Sequence, residues 1–450
     1  MVSKPKTLKD NSPKVFIKTF GCQMNKLDTE LSIGSLAKRG YSFAEDENDA
    51  DVILLNTCSV RDKAEHKVYS QLGSLRYQKE RNPELILGVL GCMAQNEGEK
   101  IFKRMPHVNL VCGTRMFSRL PELLDEISES NKHVLAIDED GEVNFDRMVT
   151  QRQNRYNAFV SIMRGCDNYC SYCIVPYVRG REFSRTVTDI VDEVKKLADD
   201  GCKEITLLGQ NVNSYGKGLN GQVTLATLLR ELDPINGIER IHFITSHPKD
   251  MTREIMEAVG ELSRVCEYLH MPAQSGSDRI LKKMKRQYTS AHYRELVEMA
   301  KSTVPGIKIA SDFIVGFPGE TDEAFEDTLK IMEEVGYSSS FIFSYSPRPG
   351  TPANELNDSV AVETKKRRLQ EAITLQSRLT SEKGQHYIGN NTEVLIEGRS
   401  SKSGYTFKGR NPQYWSANIQ AGEKTLKAGD TVKVRVQSVS GHSLSSKATL

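Results

Sequence analysis

Residues 158–176 read AFVSIMRGCDNYCSYCIVP, an apolar strand candidate followed at once by Cys166, Cys170 and Cys173. The spacing C-x3-C-x2-C supplies three thiolates, whereas a 4Fe-4S cluster ordinarily takes four protein ligands, so one iron stays open to a substrate-like chelating ligand. A structural zinc site is the alternative, but such sites are usually closed by a fourth Cys or His at short spacing. None follows before Pro176, so the spacing favours the open cluster.

Downstream of residue 152, six apolar runs alternate with helix-like stretches of ordinary length. The runs are AFVSIMRGC, EITLLGQNV, RIHFITSHP, EYLHMPAQ, IKIASDFIVGFP and SSFIFSYSP. Alternating strands and helices are typical of a parallel α/β sheet, and six such units indicate a full or partial β/α barrel. We therefore predict a central barrel over residues 152–384, ending in a basic linking helix over 361–384.

The region over residues 14–140 shows the same alternation, with the strand candidates KVFIKTFGC, DVILLNTC and LILGVLGC. Each strand ends at a cysteine: Cys22, Cys58 or Cys92. This pattern predicts an open parallel α/β domain, in which the carboxyl ends of the strands line one crevice. The three thiols are therefore expected to meet in space, although buried structural thiols are an alternative.

Residues 385–450 change period, because TEVLIEG, GYTFKGR and TVKVRVQSV alternate apolar and polar residues between glycine-containing turns. This pattern indicates a small β-barrel. The segment carries nine Lys or Arg against four Asp or Glu, a balance of +5, in a chain of net charge +2. A basic domain of this kind is a candidate RNA-binding surface. Candidate contacts are Lys402, Lys408, Arg410, Lys424, Lys427, Lys433 and Arg435 for phosphates, and Tyr405, Phe407, Tyr414 and Trp415 for bases. The alternative is a solvated basic face over an aromatic core.

Three more arginines, Arg179, Arg181 and Arg185, follow the barrel cysteines in VPYVRGREFSR. Their charges would steer an anionic nucleic acid toward the cluster. Ion pairs with Glu182 or other nearby acids are the competing explanation.

The 450 residues are 38% hydrophobic, which suffices for two or three domains without disulfide staples. Nine cysteines, an odd number with six in the two groups above, favour reduced thiolates. The first residues, MVSKPKTLKDNSPK, lack the apolar stretch of a signal peptide. No run approaches the roughly 18 apolar residues that span a bilayer. We therefore expect a cytoplasmic location and no membrane association.

The cysteine motif at the end of the first barrel strand resembles the radical S-adenosylmethionine superfamily. The settings TFGCQMN, LNTCSVR and LGCMAQ, with PYVRGREFSR, LGQNVNSYG, MPAQSGSDRILKKMKR, SDFIVGFPGET and YSPRPGTPA, resemble its methylthiotransferase family over nearly the entire chain. The C-terminal segment is similar to the TRAM domain, an RNA-binding module, although GRNPQYWSANI departs from it. The resemblance implies two 4Fe-4S clusters, one on each group of three cysteines, and S-adenosylmethionine chelated to the open iron of the barrel cluster.

Side chains that hold this cofactor should follow later barrel strands, because functional groups of such barrels lie at the carboxyl ends of the strands. The candidates are Gln210, Asn211, Ser246, Gln274 and Asp312, with Gly316 and Gly319 allowing close approach of the adenosine. For either glycine an ordinary turn is the alternative.

The resemblance also implies a division of labour between two molecules of S-adenosylmethionine. One yields a 5′-deoxyadenosyl radical at the barrel cluster, and the other methylates a sulfur carried by the N-terminal cluster. Within the family, the setting NTCSVR at Cys58 and the barrel segments most resemble the enzymes that act on tRNA. This resemblance implies methylthiolation at C2 of N6-isopentenyladenosine beside the anticodon. Expected partners are the tRNA anticodon stem-loop, an electron donor such as flavodoxin or ferredoxin, and a sulfur or cluster-supply protein. The enzyme itself is expected to be a monomer.

Other substrates and other classes of protein stay open at this point. Within the family, the alternatives are a threonylcarbamoyl-adenosine of tRNA and an aspartate of a ribosomal protein. Outside it, they are a zinc-stabilised, non-enzymatic RNA-binding protein and a radical enzyme that modifies RNA by carbon-centred chemistry, with the N-terminal cluster as an electron relay.

Overall fold

The computed structural model describes residues 12–59, 62–130, 132–137, 152, 154–422 and 425–449. Contacts divide the chain into two compact units, Met1–Gln153 with Ile174–Arg181, and Asn154–Cys173 with Glu182–Leu450. The boundary drawn from the sequence at residues 140–152 lies, except for its last residue, outside the described residues. The sequence suggests three successive domains. The contacts instead assign Ile174–Arg181 to the first unit, and they assign the C-terminal segment, residues 385–450, to the same unit as the central barrel.

The first unit contains a six-stranded sheet in the order β2-β1-β3-β4-β5-β6, and every pairing in it is parallel. Its strands are β1 (Lys14–Phe20), β2 (Ser42–Phe43), β3 (Val52–Thr57), β4 (Ile86–Gly91), β5 (Leu110–Cys112) and β6 (Val134–Ala136). Its helices are α1 (Gln23–Lys38), α2 (Asp62–Arg81), α3 (Cys92–Glu97), α4 (Glu99–Arg104), α5 (Leu120–Ser130) and α6 (Val175–Arg179). The predicted open parallel α/β domain is confirmed.

Helices cover both faces of this sheet, as is usual for parallel strands. Leu54 of β3 packs in a core with residues of α1 and α5, whereas Ile53 and Leu55 pack with residues of α2, α3 and α4. The two cores follow from the alternation of side chains along a strand. Because β3 and β4 are buried on both faces, their carboxyl ends hold the start of the following loops in place.

The second unit begins with an arc of six parallel strands, matching the six predicted runs. Its strands before the linking helix are β7 (Asn157–Ser161), β8 (Met163–Arg164), β9 (Phe183–Ser184), β10 (Glu204–Leu208), β11 (Arg240–Phe243), β12 (Tyr268–His270), β13 (Lys308–Val315) and β14 (Ser339–Ser344). The arc pairs as β7-β10-β11 and β12-β13-β14, and a parallel bridge between Ile241 and Val265 lies where the halves meet. Within the described residues β7 and β14 do not pair with each other, so the barrel is partial.

The described residues of the second unit form seven α-helices. They are α7 (Val187–Asp199), α8 (Leu225–Leu232), α9 (Arg253–Glu261), α10 (Asp278–Lys283), α11 (Ser290–Thr303), α12 (Asp322–Val335) and α13 (Val362–Gln385). The predicted linking helix is α13, which packs against β13 and β14 and contributes Ala372 and Leu379 to the main core. In the described part of the chain, none of the helices has both the length and the apolar character needed to cross a membrane.

The chain ends in a closed five-stranded barrel in the order β15-β16-β17-β19-β18, which confirms the predicted small β-barrel. Its strands are β15 (Asn391–Arg399), β16 (Phe407–Arg410), β17 (Ser416–Gln420), β18 (Thr431–Ser440) and β19 (Ser443–Ala448). Trp415 is fully buried at its centre, among side chains such as Val394, Val434 and Leu444. Alternate residues of β18 are buried and exposed, so one face of this strand is open to solvent.

Candidate active site

The first unit brings Cys22, Cys58 and Cys92 to one edge of its sheet. Cys22 lies two residues after β1, Cys58 follows β3 directly, and Cys92 follows β4 as the first residue of α3. Because β1, β3 and β4 are neighbouring parallel strands, the three cysteines emerge at the same edge. The Cys58 N–H donates to the Phe20 carbonyl at 2.9 Å. A Cβ on Gly21 would lie 2.6 Å from the Cys58 Cβ, so these two loops pack with no room for a side chain between them.

The thiol of Cys22 is shifted toward its deprotonated form. Its contact with the Cys58 thiol and the charge of Arg179 outweigh burial and lower the pKa of Cys22 to about 6. Burial raises the pKa of Cys92, with the Arg179 charge acting against it. Iron is bound by the thiolate rather than the thiol, so a cation beside these cysteines suits a cluster site.

Arg179, at the end of α6, is therefore part of the thiol site. Its Nη2 donates to the Asp28 carboxylate at 2.7 Å, and the two side chains are only 3% and 1% exposed. Ile174 and Val178 of the same segment pack on Cys92. A buried, ion-paired guanidinium does not reach a phosphate of RNA, so the phosphate contact predicted for Arg179 is corrected to a role beside the thiols.

In the second unit, Cys166, Cys170 and Cys173 lie in one loop after β7 and β8. Ser171, within this loop, donates from its Oγ to the carbonyl of Lys283 at 2.7 Å. Burial raises the pKa of Cys166 to about 11. The loop that carries the cysteines follows the carboxyl end of the first barrel strand, and the hydrogen bond of Ser171 anchors it to the end of α10.

Both groups of thiols fit the donor chemistry of an iron-sulfur cluster, which takes cysteine thiolates. In a four-iron cluster each thiolate binds a different iron, so the ligands need not converge on one point. Within the described residues, no group of three or more His, Cys, Asp or Glu side chains is arranged to hold a metal ion.

Gln210, Asn211 and Ser246 lie after β10 and β11, as predicted for cofactor-binding residues. The Oε1 of Gln210 accepts from the N–H of Gly165 at 2.5 Å, directly before the first barrel cysteine. The Nδ2 of Asn211 donates to Asp250 at 2.7 Å. The Oδ1 of Asn211 and the Oγ of Ser246 are buried without a hydrogen-bond partner among the described residues. Because such atoms are costly, a polar ligand bound here would satisfy them.

Gln274, in the loop after β12, contacts Asp312, which lies within β13. The N–H of Gln274 donates to the Asp312 carbonyl at 2.8 Å, and the Asp312 Oδ1 lies 3.3 Å from Nε2 of His270. Gln274 has a φ of +67°, an uncommon value for a residue with a Cβ and one that is often found at functional sites. Both remain candidates for contacts with the cofactor.

Gly316 and Gly319 have a different role from the one predicted. Their φ values, +71° and +78°, favour glycine. A Cβ on Gly316 would lie 2.5 Å from the Cγ of Lys365, and a Cβ on Gly319 would collide with the amino group of Lys283. Lysine side chains fill the space that the missing Cβ atoms leave. The prediction that an adenosine approaches these glycines closely is therefore corrected: the glycines allow the turns and the packing of the two lysines.

A polar cluster around the Glu182 carboxylate, at the same end of the barrel, was not predicted from the sequence as a unit. The carboxylate of Glu182 accepts from the Ser214 hydroxyl, and Lys217 lies 3.8 Å from both Glu182 and Asp250. Burial raises the pKa of Glu182. The Oε2 of Glu182 and the Nε2 of His247 are buried without partners in the described part of the chain. Glu182 stands within the quoted REFSR stretch, but its sequence position alone suggests only an ion pair with a nearby arginine.

The predicted RNA-contacting arginines after the barrel cysteines differ in exposure. Arg185 is buried, and its Nη1 donates to Glu193 at 2.5 Å and to the carbonyl of Ser161 at 2.8 Å. The competing explanation, an ion pair, therefore holds for Arg185, and its predicted phosphate contact is corrected. Arg181 is exposed and stays a candidate.

On the C-terminal barrel, the exposed basic candidates are Lys402, Lys408, Lys427, Lys433 and Arg435. Lys424 lies outside the described residues. Arg410 is ion-paired to Glu397 at 2.9 Å. Phe407 and Trp415 are buried in the barrel core, so neither can stack on a base. The ring of Tyr414 packs on His242 and Tyr268, with centroids 4.3 and 4.7 Å away, which leaves Tyr405 as the aromatic candidate.

Three thiols at the edge of a parallel sheet, and three more after the first strand of a partial β/α barrel, are the arrangement expected of a radical S-adenosylmethionine enzyme with a second cluster. Residues 14–113 match the uncharacterized protein family UPF0004, and residues 160–332 match the radical SAM superfamily. A tRNA-2-methylthio-N(6)-dimethylallyladenosine synthase of Protochlamydia amoebophila is 44% identical over 94% of this chain and 93% of its own. One from Pelotomaculum thermopropionicum is 47% identical over 88% of this chain and 90% of its own. This chain belongs to the family of tRNA-2-methylthio-N(6)-dimethylallyladenosine synthases.

Solved structures agree with the fold. The radical S-adenosylmethionine methyltransferase TsrM of Kitasatospora setae, with cobalamin and a 4Fe-4S cluster bound, has a TM-score of 0.56 at 14% identity, covering 76% of this chain and 74% of its own. The cobalamin-dependent S-adenosylmethionine radical enzyme OxsB has a TM-score of 0.53 at 15% identity, covering 81% of this chain and 56% of its own. At these identities the likeness concerns the fold alone.

Proposed function

We propose that this protein replaces the C2 hydrogen of N6-isopentenyladenosine, next to the anticodon of tRNA, with a methylthio group. The observation that carries the proposal is the 44 to 47% identity, over most of the chain, to synthases named for this product. The two groups of three thiols in the structure supply the ligands that such chemistry requires. The cofactors are two 4Fe-4S clusters and S-adenosylmethionine, which together supply a radical and an activated methyl group.

The chain's own residues bind and position these groups. Cys166, Cys170 and Cys173 hold the radical-generating cluster, and Cys22, Cys58 and Cys92 hold the cluster that carries the sulfur. Around the barrel cluster, Asn211, Ser246 and Glu182 each have a buried polar atom without a hydrogen-bond partner among the described residues. These atoms suit a ligand with hydrogen-bond donors and acceptors, and the amino acid and ribose parts of S-adenosylmethionine carry both. The remaining candidates for this ligand are Gln210, Gln274 and Asp312.

The C-terminal barrel serves as the RNA-binding surface. Lys433 and Arg435 lie two residues apart on the exposed face of β18, and Arg435 stands directly opposite Lys447 of β19. Like charges directly opposite each other destabilise a sheet, whereas a phosphate between them would neutralise both. Lys447 was absent from the sequence-based candidates. The target base must leave its stack to present C2, as is general for enzymes that act on bases.

The remaining partners follow from the chemistry. A one-electron donor such as flavodoxin or ferredoxin reduces the barrel cluster, and a sulfur or cluster-supply protein restores what each turnover consumes. Cytoplasmic location fits a tRNA substrate, and a monomer suffices because both groups of thiols belong to one chain.

The test is methylthiolation by protein purified and reconstituted without oxygen. Anticodon stem-loops carrying N6-isopentenyladenosine, threonylcarbamoyl-adenosine or unmodified adenosine are compared, with the product nucleoside identified by mass spectrometry. We expect product from the first RNA only. Product from threonylcarbamoyl-adenosine alone would move the protein to the alternative tRNA substrate, and inactivity on all three RNAs with methylthiolation of a ribosomal protein would indicate the aspartate substrate.

Metal analysis separates the enzyme from the non-enzymatic alternative. About eight irons and eight sulfides per chain are expected, falling to about half when Cys166, Cys170 and Cys173 are all replaced by alanine. Stoichiometric zinc with little iron would contradict the proposal and favour a zinc-stabilised RNA-binding protein. Modified RNA without methylthio sulfur would favour the carbon-centred alternative.

A further inference from the structure

The guanidinium of Arg286 lies buried against a cysteine of the barrel motif. Its Nη1 donates to the Sγ of Cys170 at 3.4 Å and to the hydroxyl of Tyr172 at 3.4 Å. Its Nη2 donates to the carbonyl of Pro272 at 3.0 Å, and its Nε donates to the hydroxyl of Tyr288 at 3.0 Å. Every guanidinium nitrogen thus has a partner, and the residue is only 5% exposed.

Among the described residues, the charge of Arg286 has no carboxylate to balance it. Its electrostatic neighbours are Tyr172, Tyr288 and Cys170, and no Asp or Glu of the described residues lies within ion-pairing distance. In the same unit the buried residues Arg185, Arg240 and Arg368 each face a glutamate. A buried charge without a partner is strongly unfavourable, and a thiolate at Cys170, whose Sγ lies 3.4 Å from Nη1, would balance it.

The backbone around Arg286 is held in an unusual shape. The residues on either side, Lys285 and Gln287, have φ values of +56° and +60°. Residues with a Cβ adopt such values at a cost, and they persist where the surroundings require them. The Arg286 side chain between these two positions is buried, although a sequence motif of basic residues, KKMKR, would ordinarily be solvated.

We propose that Arg286 is the counter-charge and hydrogen-bond donor to the Cys170 thiolate of the radical-generating cluster, and that it makes this cluster easier to reduce. Reduction adds one electron, from the electron donor, to a cluster whose thiolates are already negative. A cation and a hydrogen bond to sulfur stabilise the added charge and raise the reduction potential. This role rests on the proposed function, because it requires the cluster on Cys166, Cys170 and Cys173. Arg286 is accordingly a positioning residue.

The test is a redox titration, followed by electron paramagnetic resonance, of a full-length chain in which Cys22, Cys58 and Cys92 are alanine. Only the barrel cluster then contributes signal. Arg286→Met removes the charge and the donors, while Arg286→Lys keeps the charge. Tyr288→Phe is the matched control, because it removes one hydrogen-bond partner of the guanidinium and leaves the contact with Cys170. Iron and sulfide are measured for every variant.

We expect Arg286→Met to lower the equilibrium constant for reduction about tenfold, which is about 59 mV for a one-electron couple. Arg286→Lys should lie between Met and the parent, and Tyr288→Phe should match the parent. An unchanged potential in a loaded Arg286→Met protein would overturn the proposal. Loss of iron from both Arg286 variants would also overturn it, because it would show a packing role. Absence of a cluster from the parent would instead contradict the proposed function.

Discussion

At the scale of single residues, Cys58 and Cys170 should fail in different ways when replaced. Cys170→Ala is expected to abolish both cleavage of S-adenosylmethionine and methylthiolation, because it removes a ligand of the radical-generating cluster. Cys58→Ala should keep much of the cleavage but give no methylthio product. Chromatography of 5′-deoxyadenosine and mass spectrometry of the RNA measure the two outcomes. Cys202→Ala is the control, since Cys202 is a buried barrel thiol that donates to the Glu204 carbonyl and should support both reactions. Full methylthiolation by Cys58→Ala would show that its cluster is not the sulfur donor.

Arg179 should stabilise the first unit as well as its thiol site. Arg179→Met would remove the ion pair between Arg179 and the buried Asp28 carboxylate, a change that typically costs about 3–5 kcal/mol. Hydrogen exchange of α1, which carries Asp28, measures this loss in iron-free protein. The neighbouring Arg181 gives the control, because it is exposed and Arg181→Met should therefore cost much less stability than the loss of a buried ion pair. Equal protection of α1 in both variants would show that the ion pair contributes little.

The sequence predicts these cysteines but not the partners of the charges around them. Spacing identifies Cys166, Cys170 and Cys173, because ligands of one loop must be close along the chain. The roles of Arg179 and Arg286 could not be predicted in this way, because the sequence does not distinguish a basic residue in a solvated turn from one in a buried pocket. Their roles depend on contacts with elements distant in sequence, which only the folded chain defines.

At the scale of elements, β18 offers a test of RNA binding. Replacing both Lys433 and Arg435 by alanine should weaken binding of the anticodon stem-loop. If each contacts one phosphate, the slope of log affinity against log salt should fall by about 0.7–0.9 per residue. Binding measured at several salt concentrations gives this slope. Arg410→Ala is the matched control, because Arg410 is already paired with Glu397. An unchanged slope in the double variant would place the RNA surface elsewhere.

The alternation of apolar runs with helix-like stretches in the sequence identified the six barrel strands, but it did not predict whether the barrel closes. Alternating strands and helices follow from local burial, so β7 and β10 to β14 could be found from apolar runs. Whether the first and last strands of the arc pair depends on twist and on what covers the edge. In the structure α13 packs against β14, the edge strand. The pattern of apolar residues along α13 predicts a helix and does not say which strand it covers.

At the scale of the whole molecule, each unit holds a hydrophobic core that does not depend on a metal. The main core of the second unit surrounds the barrel arc and includes none of Cys166, Cys170 and Cys173. The two large cores of the first unit likewise exclude Cys22, Cys58 and Cys92. Such cores stabilise a fold by burial of apolar area alone, so the clusters serve chemistry more than folding.

Removal of the iron should therefore leave the fold largely intact. After chelation without oxygen, far-ultraviolet circular dichroism should stay close to that of the loaded protein, while methylthiolation and the iron absorbance disappear. Reconstitution with iron and sulfide should restore both, which serves as the control for damage during chelation. A protein whose metal is structural behaves differently, because its folding free energy comes from metal binding and a chelator unfolds it. Loss of the helical signal together with the metal would thus show that the hydrophobic cores do not stabilise the two units by themselves, and it would favour the zinc-stabilised alternative.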